Sequence, residues 1–588
     1  MNDQGTGRSQ DAKFDQTYDV VVIGSGAGGM TAALCAKAQG LSAIVLEKAD
    51  SYGGTSAVSG GGIWIPCNDQ IPGLGGTDSY AEALTYMNYL TAGEVPAARI
   101  EAYLRNAPEM VRFLAQRFGV KFAAVKRYPD YFPDKPGGKP GYRTMEPGEF
   151  DLASLGALLN QQREAYKSTL LMGRVAMNQV EAHTLFTRGP GWIWLMIKMM
   201  AKYWLDFGWR RQSTRDRRGT LGQALVGSLR RALQEQDIPL QLSTGLESLI
   251  EDNGRVVGVN LSRNGQRLRI AARRGVVLAC GGFESNQQMR DQYLPKPTNS
   301  AWTAAPPINH GDGIRAGIAL GADLKFMDLT WGTPTMTMPG ATSASGLFVE
   351  RGLPGCVMVN QLGQRFVNEA APYTEVVYAI QADQAKTGKA VPCWLIFDAD
   401  YRRKYPMGPM LPGSIQPDSK LPKEWLDSVY YRAESLEALA VKIGVDVHGL
   451  NQSVADIAAF SKSGTDTQFG KGNTVFDRYY SDPTCKPNTC LAPIAKAPFY
   501  AVRVQPGELG TKGGLVTDEH ARVVRADGSR IEGLYAVGNC SAAVMGRTYA
   551  GPGATLGPAM TFAYIAARSL AQPQSEPAVQ KLDVLSAA

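Results

Sequence analysis

Histidine is scarce: the 588 residues contain four, at positions 183, 310, 448 and 520. No two lie within four positions of each other, which excludes the closely spaced imidazoles of most zinc and iron sites, so no metal is expected. Cysteine is thin as well, and eight scattered thiols are too few for a disulfide scaffold and suit a reducing compartment. No window offers roughly 18 uncharged apolar residues, which removes a simple transmembrane helix. Residues 1–17 lack an apolar h-region and a cleavage site, so a short disordered tail and a cytoplasmic location are expected. An excess of one charge is missing too: 61 Lys+Arg against 54 Asp+Glu give +7, with no case for a nucleic-acid partner.

What the chain does have is apolar material, 44% of residues, and 65 glycines, many in runs. The first run follows a β-branched stretch, Asp19-Val20-Val21-Val22-Ile23, which reads as a buried parallel strand. Gly24-Ser25-Gly26-Ala27-Gly28-Gly29 comes next, then a helical stretch from Met30 to Gln39 and a second buried strand ending at Glu47. This is a βαβ unit in which Gly24, Gly26 and Gly29 satisfy G-x-G-x-x-G in its required context. A diphosphate would sit on the helix N-terminus, where free N–H groups and the dipole favour negative charge. Glu47 is placed to accept from a ribose hydroxyl and disfavours a 2′-phosphate.

FAD, rather than NAD, is argued by a second run of small and hydroxyl residues, Gly53 to Gly62, suited to bringing main-chain N–H groups to a bulky planar ring. Later, Gly538-Asn539 follows a buried strand, and its carboxamide can both donate to and accept from a polyol. The expected cofactor set is Gly24, Ser25, Gly26, Ala27, Gly28, Gly29, Glu47, Lys48, Gly54, Thr55, Ser56, Ser59, Gly60, Gly61, Gly538, Asn539, Ala554 and Leu556. No histidine lies in 53–62, so the flavin is expected to be non-covalent.

The fold expected is α/β, with a discontinuous Rossmann-like FAD-binding domain and an inserted α+β substrate (cap) domain. Its boundaries read 1–17 tail, 18–298 first FAD-binding part, 299–497 cap, and 498–588 second FAD-binding part. The cap range turns irregular, rich in proline and aromatics.

Gly53-Gly54-Thr55-Ser56, Gly311-Asp312-Gly313, Arg365-Phe366-Val367-Asn368-Glu369 and the stretch from Gly514 to Gly557 resemble the fumarate reductase/succinate dehydrogenase superfamily. The superfamily's dicarboxylate clamp is not matched: where a His-containing segment is expected, the chain has Met545-Gly546-Arg547. Tyr549-Ala550-Gly551-Pro552-Gly553, Trp64-Ile65-Pro66 and the run from Tyr128 to Pro133 are similar to the flavin-dependent 3-ketosteroid Δ1-dehydrogenases.

That resemblance implies 1,2-desaturation of a 3-ketosteroid, with a proton leaving C2, a hydride leaving C1 for the flavin, and a quinone or other acceptor reoxidising it. It implies the Tyr549 hydroxyl and the Gly553 N–H as ketone donors, and a tyrosine of depressed pKa as base. Tyr373 is the choice for that base, assisted by Tyr131, with Tyr378 a near rival and Tyr128 a wall of the substrate site. Two alternatives stay open: a 3-keto-5α-steroid Δ4-dehydrogenase, whose motif carries a serine where this chain has Gly551, and a non-catalytic flavin-binding sensor.

Residues 191–218 stand apart. They hold seven Lys/Arg against two Asp, and four of the nine tryptophans. Lys198, Lys202 and Asp206 form one helical stripe among Trp, Met, Leu and Ile, followed by an arginine-rich flank. Tryptophans beside basic residues are what an interfacial helix uses, so about 190–218 is expected to touch a membrane surface peripherally, with internal packing as the alternative.

Overall fold

The computed structural model describes residues 14–572. Its central strand is Gln16–Ile23, in which Val20, Val21, Val22 and Ile23 are buried on both faces. That burial is why the run is β-branched throughout and does not alternate with polar residues. Ala43–Leu46 and Gln266–Leu278 flank it in parallel, Leu240–Gln241 extends one side, and Arg530–Ala536 extends the other. With the antiparallel strands Thr244–Asp252, Arg255–Arg263 and Arg522–Val524, the sheet has eight strands. Val20 and Val22 face one core, under the helices Ala27–Ala38 and Leu556–Ala571, while Val21 and Ile23 face another. The two helices pack against each other, so the first glycine turn and the C-terminal segment meet at one rim of the sheet.

The cap is built on a six-stranded antiparallel sheet ordered Ser345–Gly346, Thr330–Met336, Phe499–Thr511, Cys393–Phe397, Cys356–Val359, with Tyr430–Ala433 also on Phe499–Thr511. The helix Tyr373–Thr387 packs on this sheet. The expected α/β architecture with an α+β insertion is therefore present.

Three boundaries differ from the sequence reading. Gln16 and Thr17, assigned to the tail, already pair with Ile270 and Ala271, because the edge of Gln266–Leu278 offers them ladder partners. Residues 1–13 and 573–588 lie outside the described residues. The return to the nucleotide unit comes after Thr511, not at 498, since Phe499–Thr511 is a central strand of the cap sheet. Past 298 the chain also stays with the nucleotide unit, where Ile314 packs in its core and Leu324–Lys325 pairs with Gly514–Leu515.

Candidate active site

Gly24 leaves its strand with φ of +105°, and a Cβ there would lie 2.4 Å from the carbonyl oxygen of Ala279, so only glycine makes this turn. Gly26 then caps the helix Ala27–Ala38 without any side-chain hydrogen bond, leaving its N-terminus available to an anion. Ser56 Oγ accepts from the Ala27 N–H at 3.0 Å and ties the second glycine run to the first. Glu47 accepts from the N–H of Ser25 at 3.1 Å, from its hydroxyl at 2.6 Å and from the Ala49 N–H at 2.9 Å. Three bonds leave a carboxylate one lone-pair site for a ribose hydroxyl. Lys48 is held by Asp312 at 2.6 Å, and Thr55 Oγ1 accepts from Asn309 at 3.0 Å.

These groups line a cavity of about 1000 Å³ that runs from the glycine turn to a cluster of tyrosines. It lies at the upper end of the roughly 300–1,000 Å³ usual for small-molecule sites. The expected cofactor residues line it with two exceptions: Gly29, where a Cβ would fall 2.0 Å from the Gly24 oxygen, and Ala554, buried on a small adjoining cavity. Gly29 is thus a packing residue. The glycine-capped helix end, the carboxylate beyond it and the glycine-lined wall fit FAD in shape and donor set.

At the far end, Tyr131, Tyr373 and Tyr549 converge. Their ring centroids are 5.0 Å (131 to 549), 5.4 Å (131 to 373) and 5.7 Å (373 to 549) apart. The Tyr131 hydroxyl donates to that of Tyr373 at 2.7 Å. Tyr373 opens its helix directly after Pro372, which fixes the direction in which the chain enters. Tyr378, the rival, does not line the cavity; its hydroxyl donates to the Arg547 carbonyl at 2.7 Å. Tyr128 does line it, stacked on Tyr479 and sharing a 2.7 Å hydrogen bond with Tyr480. Tyr131 follows Asp130, which is locked between the Trp64 indole N–H at 2.7 Å and Arg143 at 2.8 Å.

Gly553 has φ of +91°, and a Cβ on it would sit 2.6 Å from the Ile63 main chain. Glycine is therefore demanded by the strand behind it, rather than by close approach of a substrate alone. Among the described residues no acceptor takes its N–H. Gly551 also has no room for a side chain, since a Cβ would lie 2.8 Å from Trp64 Cδ1, which argues against the serine of the Δ4 motif.

Burial pushes the hydroxyl pKa of Tyr373, Tyr131 and Tyr549 up, so the surroundings do not give the depressed base expected. Within that environment the bond from Tyr131 acts on Tyr373 in the opposite, lowering, direction. Two residues of the site had no signal in the sequence. Thr555 shares a 2.7 Å hydrogen bond with the Tyr549 hydroxyl. Arg351, buried on the cavity wall, donates to the carbonyls of Glu369 and Ala371 at 2.5 Å each, just upstream of Tyr373. The Arg365 to Glu369 motif is a buried ion network with Asp466, away from the cavity.

Residues 192–205 form a helix resting on the wall of the same cavity. Met199 and Tyr203 face inward with Met177 and Phe186, and the latter two line the cavity. Outward stand Ile193, Trp194, Ile197, Trp204, Leu205 and the following Phe207, with Trp194 71% exposed. The arginine flank is less free than its composition suggests: Arg217 pairs with Asp151, and Arg218 with Glu149 and Glu181. No described helix is long and apolar enough to cross a membrane.

Residues 19–556 match the FAD binding domain family. The chain is 41% identical to the 3-oxosteroid 1-dehydrogenase of Mycobacterium tuberculosis over 95% of its own length and 98% of that protein's. It is equally 41% identical to the 3-oxosteroid 1-dehydrogenase of Comamonas testosteroni, over 94% and 96%. Its fold superposes with a TM-score of 0.93 on the crystal structure of the 3-ketosteroid Δ1-dehydrogenase of Sterolibacterium denitrificans in complex with 1,4-androstadiene-3,17-dione, at 52% identity, covering 95% of this chain and 99% of that one. An FAD cradle, a tyrosine cluster at its far end and full-length likeness to these enzymes agree: the chain belongs to the 3-oxosteroid 1-dehydrogenase family of FAD-dependent oxidoreductases.

Proposed function

We propose that Tyr373 removes the C2 proton of a 3-ketosteroid while the Tyr549 hydroxyl and the Gly553 N–H hold the C3 oxygen. Bound FAD supplies the hydride acceptor. The observation that carries this reading is the meeting of three tyrosine hydroxyl groups and an unpaired glycine N–H at one end of a cavity whose other end is the nucleotide cradle. Negative charge grows on the ketone oxygen as C2 loses its proton, so two donors aimed there lower the barrier and bring C2 closer in acidity to the base. Tyr131 donates to Tyr373 and thereby favours the anionic base over the neutral phenol. Tyr128, Tyr480 and Phe348 wall the polycyclic body. A quinone or other electron acceptor completes turnover by reoxidising the flavin.

The outward face of 192–207 supports a peripheral membrane attachment. Six large apolar side chains stand in solvent on an element whose inner side packs against Met177 and Phe186 of the cavity wall. Burying them in a bilayer surface recovers apolar area, and a steroid with an apolar tail partitions into the same phase. The reading favours a sterone carrying its side chain as substrate.

The test is turnover of the FAD-loaded chain on cholest-4-en-3-one and on 4-androstene-3,17-dione with an artificial acceptor, with the product double bond located by NMR. A C1–C2 double bond is expected. A double bond elsewhere, or none, would overturn the assignment.

A further inference from the structure

Lys512 follows the cap strand Phe499–Thr511, and its side chain is fully buried with no ion-pair partner among the described residues. Its Nζ donates instead to the carbonyl of Arg547 at 2.6 Å and to that of Thr548 at 2.7 Å. The same ammonium lies 4.7 Å from the centroid of the Trp331 ring. Trp331 in turn stands 4.7 Å, centroid to centroid, from Tyr549, and its indole N–H donates to Asn539 Oδ1 at 3.0 Å. Neither the cofactor cradle nor the proton-transfer groups include Lys512, which does not line the cavity.

A buried cation with no carboxylate in direct contact is expensive, and an apolar side chain of similar length would fill this space without that cost. What the ammonium adds is direction. The carbonyl of Thr548 belongs to the planar peptide that leads into the Tyr549 Cα, so holding that oxygen fixes the plane from which the phenol projects. The ring of Trp331, held under the same charge, limits the phenol from the side. A ketone donor must be placed within a fraction of an ångström, and such precision comes from the groups behind it.

We propose that Lys512 is the positioning residue of Tyr549: its ammonium holds the peptide that enters the tyrosine and the indole beside it, and so aims the phenol at the ketone. This rests on Tyr549 being a ketone donor.

The test is a double-mutant cycle on the FAD-loaded full chain with Lys512→Met, Tyr549→Phe and the pair. Lys512→Met is expected to lower kcat by about 10- to 100-fold, as for a misaimed catalytic group, with the steroid KM within about 3-fold and the flavin absorbance retained. In the Tyr549→Phe background the same change is expected to alter kcat by less than about 2-fold, because the residue it positions is no longer a donor. Lys512→Gln, which keeps one donor for one carbonyl, should fall between wild type and Lys512→Met, and it carries the cycle if the Met variant fails to retain flavin. Equal loss in both backgrounds, or wild-type kcat for Lys512→Met, overturns the proposal. Wild-type kcat for Tyr549→Phe would instead remove the role assigned to Tyr549.

Discussion

The hydroxyl of Tyr131 donates to that of Tyr373 across 2.7 Å, joining residues 242 positions apart. The direction of this bond assigns unequal roles to two chemically identical groups. Tyr373→Phe removes the proposed base and should cost about 10²- to 10⁴-fold in kcat. Tyr131→Phe leaves the base but takes away the contact that lowers its pKa. Its kcat/KM should therefore rise with pH later than that of the wild type, with the ascending limb displaced to higher pH. Steady-state kinetics carried from about pH 6 to beyond the ordinary tyrosine value of about 10 distinguish the two, and an unshifted ascending limb in Tyr131→Phe would remove its assisting role.

Gly553 is caught between a left-handed backbone and the main chain of Ile63. Gly553→Ala should destabilise the fold by about 2–5 kcal/mol, from the strained φ and the overpacking together. Chemical denaturation followed by flavin fluorescence measures this, and a change under about 0.5 kcal/mol, the scale of an unremarkable surface substitution, would show that the turn relaxes.

Burial pushes the Lys512 ammonium down to about 7, with Glu375 and Glu94 raising it and Arg547 lowering it further. The unfolded chain holds the same proton up to about 10.4. Between these values the unfolded state binds more protons, so this group makes stability rise with pH through that window, and its full cost is present below about 7. Lys512→Met lacks this slope. Relative to wild type it should be more stable at pH 6 than at pH 10, which paired urea titrations at the two pH values would reveal.

Replacing Trp194, Trp204 and Phe207 together by serine should leave turnover of a water-soluble steroid unchanged, because none of the three lines the cavity. Co-sedimentation with anionic vesicles should fall by about 10-fold or more, given the apolar area withdrawn. Equal sedimentation of both proteins would exclude this face as a membrane contact.

The nucleotide end was legible because its information is local. A β-branched run, three spaced glycines and an acid lie within 29 residues, and each type is dictated by sterics or charge where it stands. The tyrosine end was legible only through resemblance, since periodicity alone does not bring Tyr131, Tyr373 and Tyr549 together. Thr555 is not marked between Ala554 and Leu556, because a hydroxyl reaching a phenol six residues back has no distinct spacing. Arg351 and Lys512 were silent for another reason. Their partners are main-chain carbonyls, which every residue possesses, so no complementary residue type marks the pair. The cap boundary at 498 failed where a strand of mixed composition belongs to a different sheet from the segment that follows it.

That strand, Phe499–Thr511, has a mechanical consequence. It is the central rung of the cap, yet Thr511 Oγ1 accepts from the Phe283 N–H of the nucleotide unit at 3.1 Å, and within three residues the chain is pairing with Leu324–Lys325. A cap spliced into its neighbour through its own middle strand must carry any relative movement of the two through residues 511–514, a segment held by contacts at both ends. Residues 166–169 and 340–346 line the active-site cavity, so its wall on that side is made largely of loops whose shape does not depend on this splice.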